Sequence, residues 1–490
     1  MTQNETISPR TAPWREELRK SSTAKERTAL ERVKMTELDP DCRVKTLTEE
    51  VNCGLSREQA VAEAGRCLDC PDPQCVTGCP VGINIPGFIK NIERGNIDEA
   101  LAVLRETSAL PAVCGRVCPQ EKQCESKCIY NKMKKPAVAI GYLERFAADN
   151  GNAAADTRRP TPNGIKVAVV GSGPAGLSFA GDMVKHGYEV TVFEALHEIG
   201  GVLKYGIPEF RLPNAVVERE IESLRELGVD FQKNTIIGKT LSYDDLHAMG
   251  FKGIFVASGA GLPRFMGIPG ENLINVLSSN EYLTRVNLMH AGTEGYATPV
   301  FRGKKVAIIG GGNTAMDSCR TARRMGAERA IVVYRRSEAE MPARIEEVKH
   351  AKEEGVEFMT LHNPVEYLGD ERGRVRAMKL QRMELGEPDA SGRRSPVPVE
   401  GAIEEIEVDM VIVSVGVSPN PLIPNSVNGL DVTPRGTIAT DAETLRSSLA
   451  DLYAGGDIVR GGATVILAMG DGRKAAAAMH EQLTNPTPAE

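Results

Sequence analysis

The chain has 490 residues, with 59 Lys and Arg against 66 Asp and Glu, a formal charge of −7. That acidic balance argues against a nucleic-acid binder, which needs a basic face. No run of about eighteen apolar residues occurs, so no transmembrane helix is predicted, and the polar start, lacking an apolar h-region, predicts a cytoplasmic protein with no secretory signal.

Hydrophobic residues at 41% and charged residues at 26% suit a globular chain, and the length predicts about three domains. Residues 1–35 are polar, with a lone Trp14, and read as an N-terminal arm, either solvated or a helix lying on another surface. Residues 36–150 read as a small helical domain. The stretch from Ile85 to Leu110 repeats its apolar residues at helical spacing, with Gly95 as a break.

This second segment also holds eight of the eleven cysteines, between Cys67 and Cys128. In a reducing compartment such a block points to metal ligation before disulfides. The cysteines form two groups, Cys67-x2-Cys70-x4-Cys75-x3-Cys79-Pro80 and Cys114-x3-Cys118-Pro119-x5-Cys124-x3-Cys128. Zinc sites use four ligands in two tight pairs. Two groups of four, with Pro after Cys79 and Cys118, fit two 4Fe–4S clusters better, and the last Cys of such a run often ligates the other cluster. Spacing alone takes Cys114 as a ligand.

The Asn-, Ala- and Pro-rich stretch 149–164 reads as a linker. Two strand–glycine-loop–helix units follow, at 165–195 and 304–336. In the first, Ile165–Val170 is a β-branched run of the kind buried in a parallel sheet. It leads into Gly171-Ser-Gly173-Pro174-Ala175-Gly176 and a helix, and a second strand ends at Glu194. Gly171 permits the tight turn, Gly173 lets backbone approach a pyrophosphate, and Gly176 lets the helix pack on the strand. Pro174 and Ala175 open the helix, whose free N–H groups face the phosphates. Glu194 is placed to accept from a ribose diol. The pattern predicts a dinucleotide site.

The glycine-rich stretch 198–212, with Gly201, Leu203 and Arg211, resembles the segment that runs along FAD in two-dinucleotide flavoproteins. Ala257 and Gly259 sit in a small-residue turn after the strand that reaches Phe255, and Gly456-Asp457 resembles the motif whose Asp binds the ribityl chain. A helix expected from Thr464 points its N-terminus at the flavin and favours an anionic reduced ring. In the second unit the loop is Gly310-Gly-Gly312-Asn313-Thr314-Ala315, and its second strand ends in Arg335-Arg336 instead of an acid. Two arginines favour a 2′-phosphate by charge and forked hydrogen bonds, which predicts NADPH over NADH. Met341–Arg344 is expected on the nicotinamide side. The expected fold is α/β, with an FAD domain split over 160–290 and 415–490 around an NADPH domain at 291–414.

These residues resemble those of the small (β) subunit of NADPH-dependent glutamate synthase, with related segments in the N-terminal half of dihydropyrimidine dehydrogenase and in the large subunit of the NADH-dependent ferredoxin:NADP oxidoreductase. The similar stretches include GRCLDCPDPQCVTGCPVGINIP, LPAVCGRVCPQEKQCESKC, AIGYLERF, VAVVGSGPAGL, GGGNTAMD, MELGEPDASGRR and YAGGDIVRG, spread over most of residues 60–480. The resemblance implies that Cys67, Cys70, Cys75 and Cys128 bind one cluster. It implies that Cys79, Cys118, Cys124 and Glu144 bind the other, with Cys114 a spectator. It also implies an electron-input subunit: hydride passes from NADPH to FAD, and single electrons leave through the clusters to a partner. That partner would be the glutamate synthase large subunit, which makes glutamate from glutamine and 2-oxoglutarate, or else the partner of a bifurcating ferredoxin-linked transhydrogenase. Hydride transfer needs orientation more than acid–base chemistry, so no catalytic acid or base is assigned. His186, His197 and His290 read as packing or surface residues, and lone Cys319 supplies no Cys-x-x-Cys for a disulfide reductase.

Overall fold

A computed structural model describes residues 7–152, 160–390 and 392–485. Residues 153–159 of the expected linker and 1–6 of the expected arm lie outside the described residues, and Asp149 and Asn150 end a helix, Ile140–Asn150.

The arm forms helices Pro13–Ser21 and Ala24–Ala29, and these lie on the cysteine domain. Charge holds them there. Arg15 and Arg19 both pair with the buried Asp69, Arg19 at 2.6 Å, and Arg27 meets Glu93 at 2.7 Å. Trp14 stacks under Arg94, whose guanidinium carbon is 3.8 Å from the ring centre.

The helical domain follows from its local signals. Helix Ile85–Glu93 starts at Asn84, whose Oδ1 accepts from Gly87 N at 3.0 Å, and Pro86 sits in the first turn, where no N–H is needed. Gly95 turns the chain at φ +79°, a left-handed value that favours glycine, and Asn96 caps Ile97–Arg105. Phe88, Ile92, Leu104, Val113 and Leu143 are fully buried. Their cluster continues without a break into Leu177, Val217 and Met469 of the next unit. One shared core therefore fixes the cysteine block against the first glycine loop.

That unit is a five-stranded parallel sheet in the order Leu452–Ala454, Phe251–Val256, Lys166–Val170, Glu189–Phe193, Asp230–Gln232. Val169 pairs with Phe255 on one side and Val192 on the other. The second sheet is also parallel, in the order Val276–Ser278, Met410–Val413, Lys305–Ile309, Arg329–Tyr334, Glu357–Thr360. Its edge strand Val276–Ser278 pairs with Met410–Val413, so this sheet takes in residues ahead of the boundary expected at 291. The chain crosses between the sheets on the antiparallel pair Leu262–Pro263 and Val417–Ser418. Two Rossmann-like units with a helical domain ahead of them are thus the architecture, as the glycine loops imply. A three-stranded antiparallel sheet, His362–Gly369, Val375–Pro388 and Arg394–Glu407, is an addition that the sequence reading did not predict.

Candidate flavin, nucleotide and cluster sites

Both glycine loops open into one cleft of about 2110 Å³. A single-ligand pocket holds about 300–1,000 Å³, so this cleft has room for two dinucleotides. At the first loop, Gly171 has φ +105°, and a Cβ there would stand 2.5 Å from the Ala257 carbonyl oxygen. A Cβ on Gly176 would lie 2.0 Å from Gly171 O, whereas Gly173 has open space before it. The three glycines thus serve turn, packing and access separately. The helix Pro174–Lys185 aims its N-terminus into the cleft behind Pro174 and Ala175. Buried Glu194 accepts from Ser172 N at 3.0 Å and Leu196 N at 2.8 Å, and Ser172 Oγ accepts from Gly200 N at 3.0 Å. This network lays the 200–201 turn on the loop: a Cβ at Gly201, φ +56°, would be 3.0 Å from Gly173 Cα.

Ala257, Gly259, Gly456, Asp457 and Thr464 line the same cleft beside this loop. Asp471 accepts from Gly456 N at 3.0 Å and from both ends of the Arg460 guanidinium, and so shapes the turn before Asp457. Burial raises the Asp457 carboxyl to about 6, against the opposing hydrogen bond from Ala463 N. Thr464 caps Val465–Thr484, and the crossing of this helix with Pro174–Lys185 is close enough that a Cβ on Gly472 would meet Ala175 O at 2.3 Å.

Gly310, Gly312, Asn313 and Thr314 form the opposite wall. Gly310 has φ +138°, and a Cβ there would meet Ser414 O at 2.2 Å. The two arginines differ. Arg335 is exposed to the cleft and makes no ion pair among the described residues. Arg336 also borders the cleft but is buried, donating to Asp389 Oδ2 at 2.6 Å and Arg394 O at 2.8 Å. Arg393, at the tip of the same hairpin, joins Arg335 on the wall; its signal in the sequence was the Gly-Arg-Arg of 392–394.

Two expected residues have other surroundings. Leu203 is fully buried in the shared core and does not line the cleft, although Val202 and Tyr205 do. Arg211 lines it, but its guanidinium grips Asp317 at 2.6 and 2.8 Å and Glu347 at 3.1 Å, tying the first unit to helices Asn313–Arg324 and Ile345–Glu353.

The cysteines sort into two groups in space. No disulfide links any of them. The Cys67, Cys70, Cys75 and Cys128 thiols act on one another; burial pushes Cys67 up to about 11, and burial with its three partners raises Cys75. Cys79, Cys114, Cys118, Cys124 and Glu144 make the second group: burial pushes Cys79 up to about 12, with Glu144 and Cys118 adding to it, burial with Glu125 and Glu144 raises Cys124, and Cys114 faces Cys118, Glu144 and Cys79. Close backbone contacts build this exchange of partners between the two sequence runs. A Cβ on Gly78 would lie 2.8 Å from Gln123 O and 3.0 Å from Cys124 Cα. Gly115 lets helix Pro111–Val117 touch Ile140–Asn150 at Arg145, which carries Glu144 to Cys118.

Glu144 is the test of fit for a cluster. It is buried, its Oε1 has no hydrogen-bond partner, and burial, with Glu220 adding, raises its carboxyl to about 8. An unpaired buried carboxyl is costly, and iron at this position would relieve that cost. Cys114 is also buried, but its Sγ lies 3.4 Å from Met469 Sδ and it hydrogen-bonds Cys118. The second group abuts the cleft: Val117 and Pro119, on either side of Cys118, are part of its wall.

Residues 165–472 match the family described as pyridine nucleotide-disulphide oxidoreductase, and residues 43–155 match dihydropyrimidine dehydrogenase domain II, 4Fe-4S cluster. The fold recurs in Mycobacterium tuberculosis FprA in complex with NADPH, with a TM-score of 0.56 at 19% identity over 66% of this chain and 85% of that one. Over these residues the chain belongs to the pyridine nucleotide-disulphide oxidoreductase family, with an iron–sulfur domain ahead of it, and it is an oxidoreductase whose cofactors are FAD, NADPH and 4Fe–4S clusters.

The glutamate synthase [NADPH] small chain of Azospirillum brasilense is 38% identical over 440 residues, 88% of this chain and 90% of its own. The NADPH-Fe(3+) oxidoreductase subunit beta of Geobacter sulfurreducens is 37% identical over 461 residues, covering 88% and 67%. The chain belongs to the family of glutamate synthase NADPH small chains. No helix among the described residues is long and apolar enough to cross a membrane.

Proposed function

We propose that this chain is the electron-input subunit of a glutamate synthase, oxidising NADPH and delivering single electrons to a large subunit that makes L-glutamate from L-glutamine and 2-oxoglutarate. One observation carries the reading. The Cys118 turn walls the dinucleotide cleft, while Cys70, Cys75 and Cys128 of the other group are only half-buried. The two groups form a path from cleft to surface.

When bound, FAD takes the hydride of NADPH and 4Fe–4S clusters carry electrons singly. The chain's own residues hold and orient these groups. In this reading Cys67, Cys70, Cys75 and Cys128 hold the outer cluster, and Cys79, Cys118, Cys124 and Glu144 hold the inner one. Gly171, Gly173 and the helix N-terminus at Pro174 receive the FAD pyrophosphate, Glu194 its ribose and Asp457 its ribityl chain. Gly310, Gly312 and Asn313 receive the nucleotide pyrophosphate. Arg335 takes the 2′-phosphate, with Arg336 bracing the hairpin beside it.

The similarity to a subunit of an NADPH–Fe(3+) oxidoreductase, at 37% identity, favours a second reading in which the acceptor is a different redox protein, as in a ferredoxin-linked transhydrogenase. Anaerobic native co-purification separates the two. The first reading predicts a large partner and NADPH oxidation that depends on glutamine and 2-oxoglutarate. A partner carrying its own flavin and 2Fe–2S cluster, with ferredoxin-dependent turnover, would replace it.

A further inference from the structure

The turn Met341–Arg344 bridges the second glycine loop and the Cys118 turn. On the nucleotide side, Ala343 N donates to Gly311 O at 3.2 Å and Arg344 N to Asn313 Oδ1 at 2.9 Å, and Pro342 lines the cleft. On the cysteine side, Lys122 Nζ donates to the carbonyls of Pro342 and Ala343 at 3.2 and 3.3 Å. The Arg344 side chain, 5% exposed, crosses the boundary: Nη1 donates to Arg116 O at 3.0 Å and Nη2 to Gln120 Oε1 at 3.1 Å. Those two acceptors are the residues two before and two after Cys118. Gln120 in turn donates to Cys114 O at 3.2 Å and packs under Gly141, one turn before Glu144.

Four acids face Arg344 or its surroundings. Glu346 lies 3.1 Å from Nη2, Glu121 lies 3.6 Å from Nε, Glu347 also acts on it while held by Arg211 and Arg320, and Glu125 is held by Arg32 at 2.8 Å.

We propose that Arg344 is the positioning residue that sets the reduction potential of the inner cluster, by holding a buried positive charge and two forked donors against the Cys118 turn. The inference rests on the ligand assignment of the preceding section. A positive charge favours the reduced, more negative cluster, so Arg344 holds the potential up, and Glu346 tempers it. Because the same turn leans on Gly311 and Asn313, the charge is seated from the nucleotide-binding wall.

The test is a mediated potentiometric titration of the anaerobic holoprotein, followed by EPR, on wild type and on Arg344→Gln, which keeps a donor but loses the charge. At the potential where the wild-type inner cluster is half reduced, the variant should show about a tenfold lower ratio of reduced to oxidised cluster, a shift of about 59 mV for a one-electron couple. The outer cluster should keep its midpoint, and Arg344→Lys should retain most of the inner one. Unchanged midpoints, or equal shifts of both clusters, would overturn the proposal. Should Arg344→Gln fail to assemble, Glu346→Gln is expected to raise the inner midpoint, and no rise would overturn it equally. Iron analysis of the same wild-type sample separates the two levels: about four irons per chain would remove the ligand assignment itself, whereas about eight with unmoved midpoints would remove only the role of Arg344.

Discussion

Arg336 Nη2 donates to Asp389 Oδ2 at 2.6 Å, so the second arginine after the Arg329–Tyr334 strand braces the hairpin at its tip while Arg335 faces the cleft. An adjacent pair of arginines therefore divides its work. One is exposed to the cleft and the other fixes the backbone beside it.

Arg335→Ala should weaken NADPH binding by roughly ten- to a hundredfold, since a hydrogen bond to a charged group contributes about 1.5–3 kcal/mol, with little change for NADH. Arg336→Ala should also loosen residues 375–407. Equilibrium titration with both nucleotides and hydrogen exchange over the hairpin check this pair. Equal losses for NADPH and NADH in Arg335→Ala would remove the 2′-phosphate role.

Glu144→Ala should lower the iron content from about eight towards about four per chain, because the inner cluster would lose one of its four ligands. Cys114→Ser should leave it near eight. Iron and acid-labile sulfide, assayed on anaerobically purified variants, decide the case. Loss of four irons in Cys114→Ser would make that cysteine the fourth ligand.

The second and third glycines of the first loop should fail differently. Gly176→Ala puts a Cβ against Gly171 O, a backbone atom that cannot withdraw, and should lower thermal stability together with flavin content. Gly173→Ala meets nothing in the protein. It should fold as wild type does and lose FAD, because its methyl stands where the pyrophosphate must approach. Melting curves and flavin absorbance separate the two.

Acid should release the tie between the Rossmann-like units. Burial alone would raise the Glu347 carboxyl, but Arg211 and Arg320 hold it down to about 2. A depressed folded value stabilises above the unfolded value of 4.5, and that contribution is lost as pH falls from about 4.5 to about 2. It is on the order of 3 kcal/mol. Glu347→Gln should be less stable than wild type at neutral pH, with the gap closing across that window in denaturant melts. A gap that does not change with pH would contradict it.

Much of this was legible in the sequence. The β-branched runs at 166–170 and 305–309 are buried on both faces, and the glycine loops next to them obey steric rules that a local pattern records. The exchange of cysteines between the two runs was carried by resemblance, because it depends on the contact of Gly78 with Gln123 and Cys124, some 45 residues apart in the chain. The hairpin strands 375–388 and 394–407 went unseen; many of their side chains are charged and exposed, so they lack the apolar runs of core strands. In the sequence Arg15 reads as part of a polar arm, Arg211 as a residue beside FAD and Arg344 as part of the nicotinamide side. Each is buried by a partner distant in the chain: Asp69, Asp317 or Gln120.

The central claim is that the helical domain is an electron path fixed to a flavin cleft. Cofactor analysis of protein purified without oxygen tests it most directly. One FAD, about eight irons and about eight acid-labile sulfides per chain are expected; colourless protein carrying zinc and releasing no sulfide would contradict it.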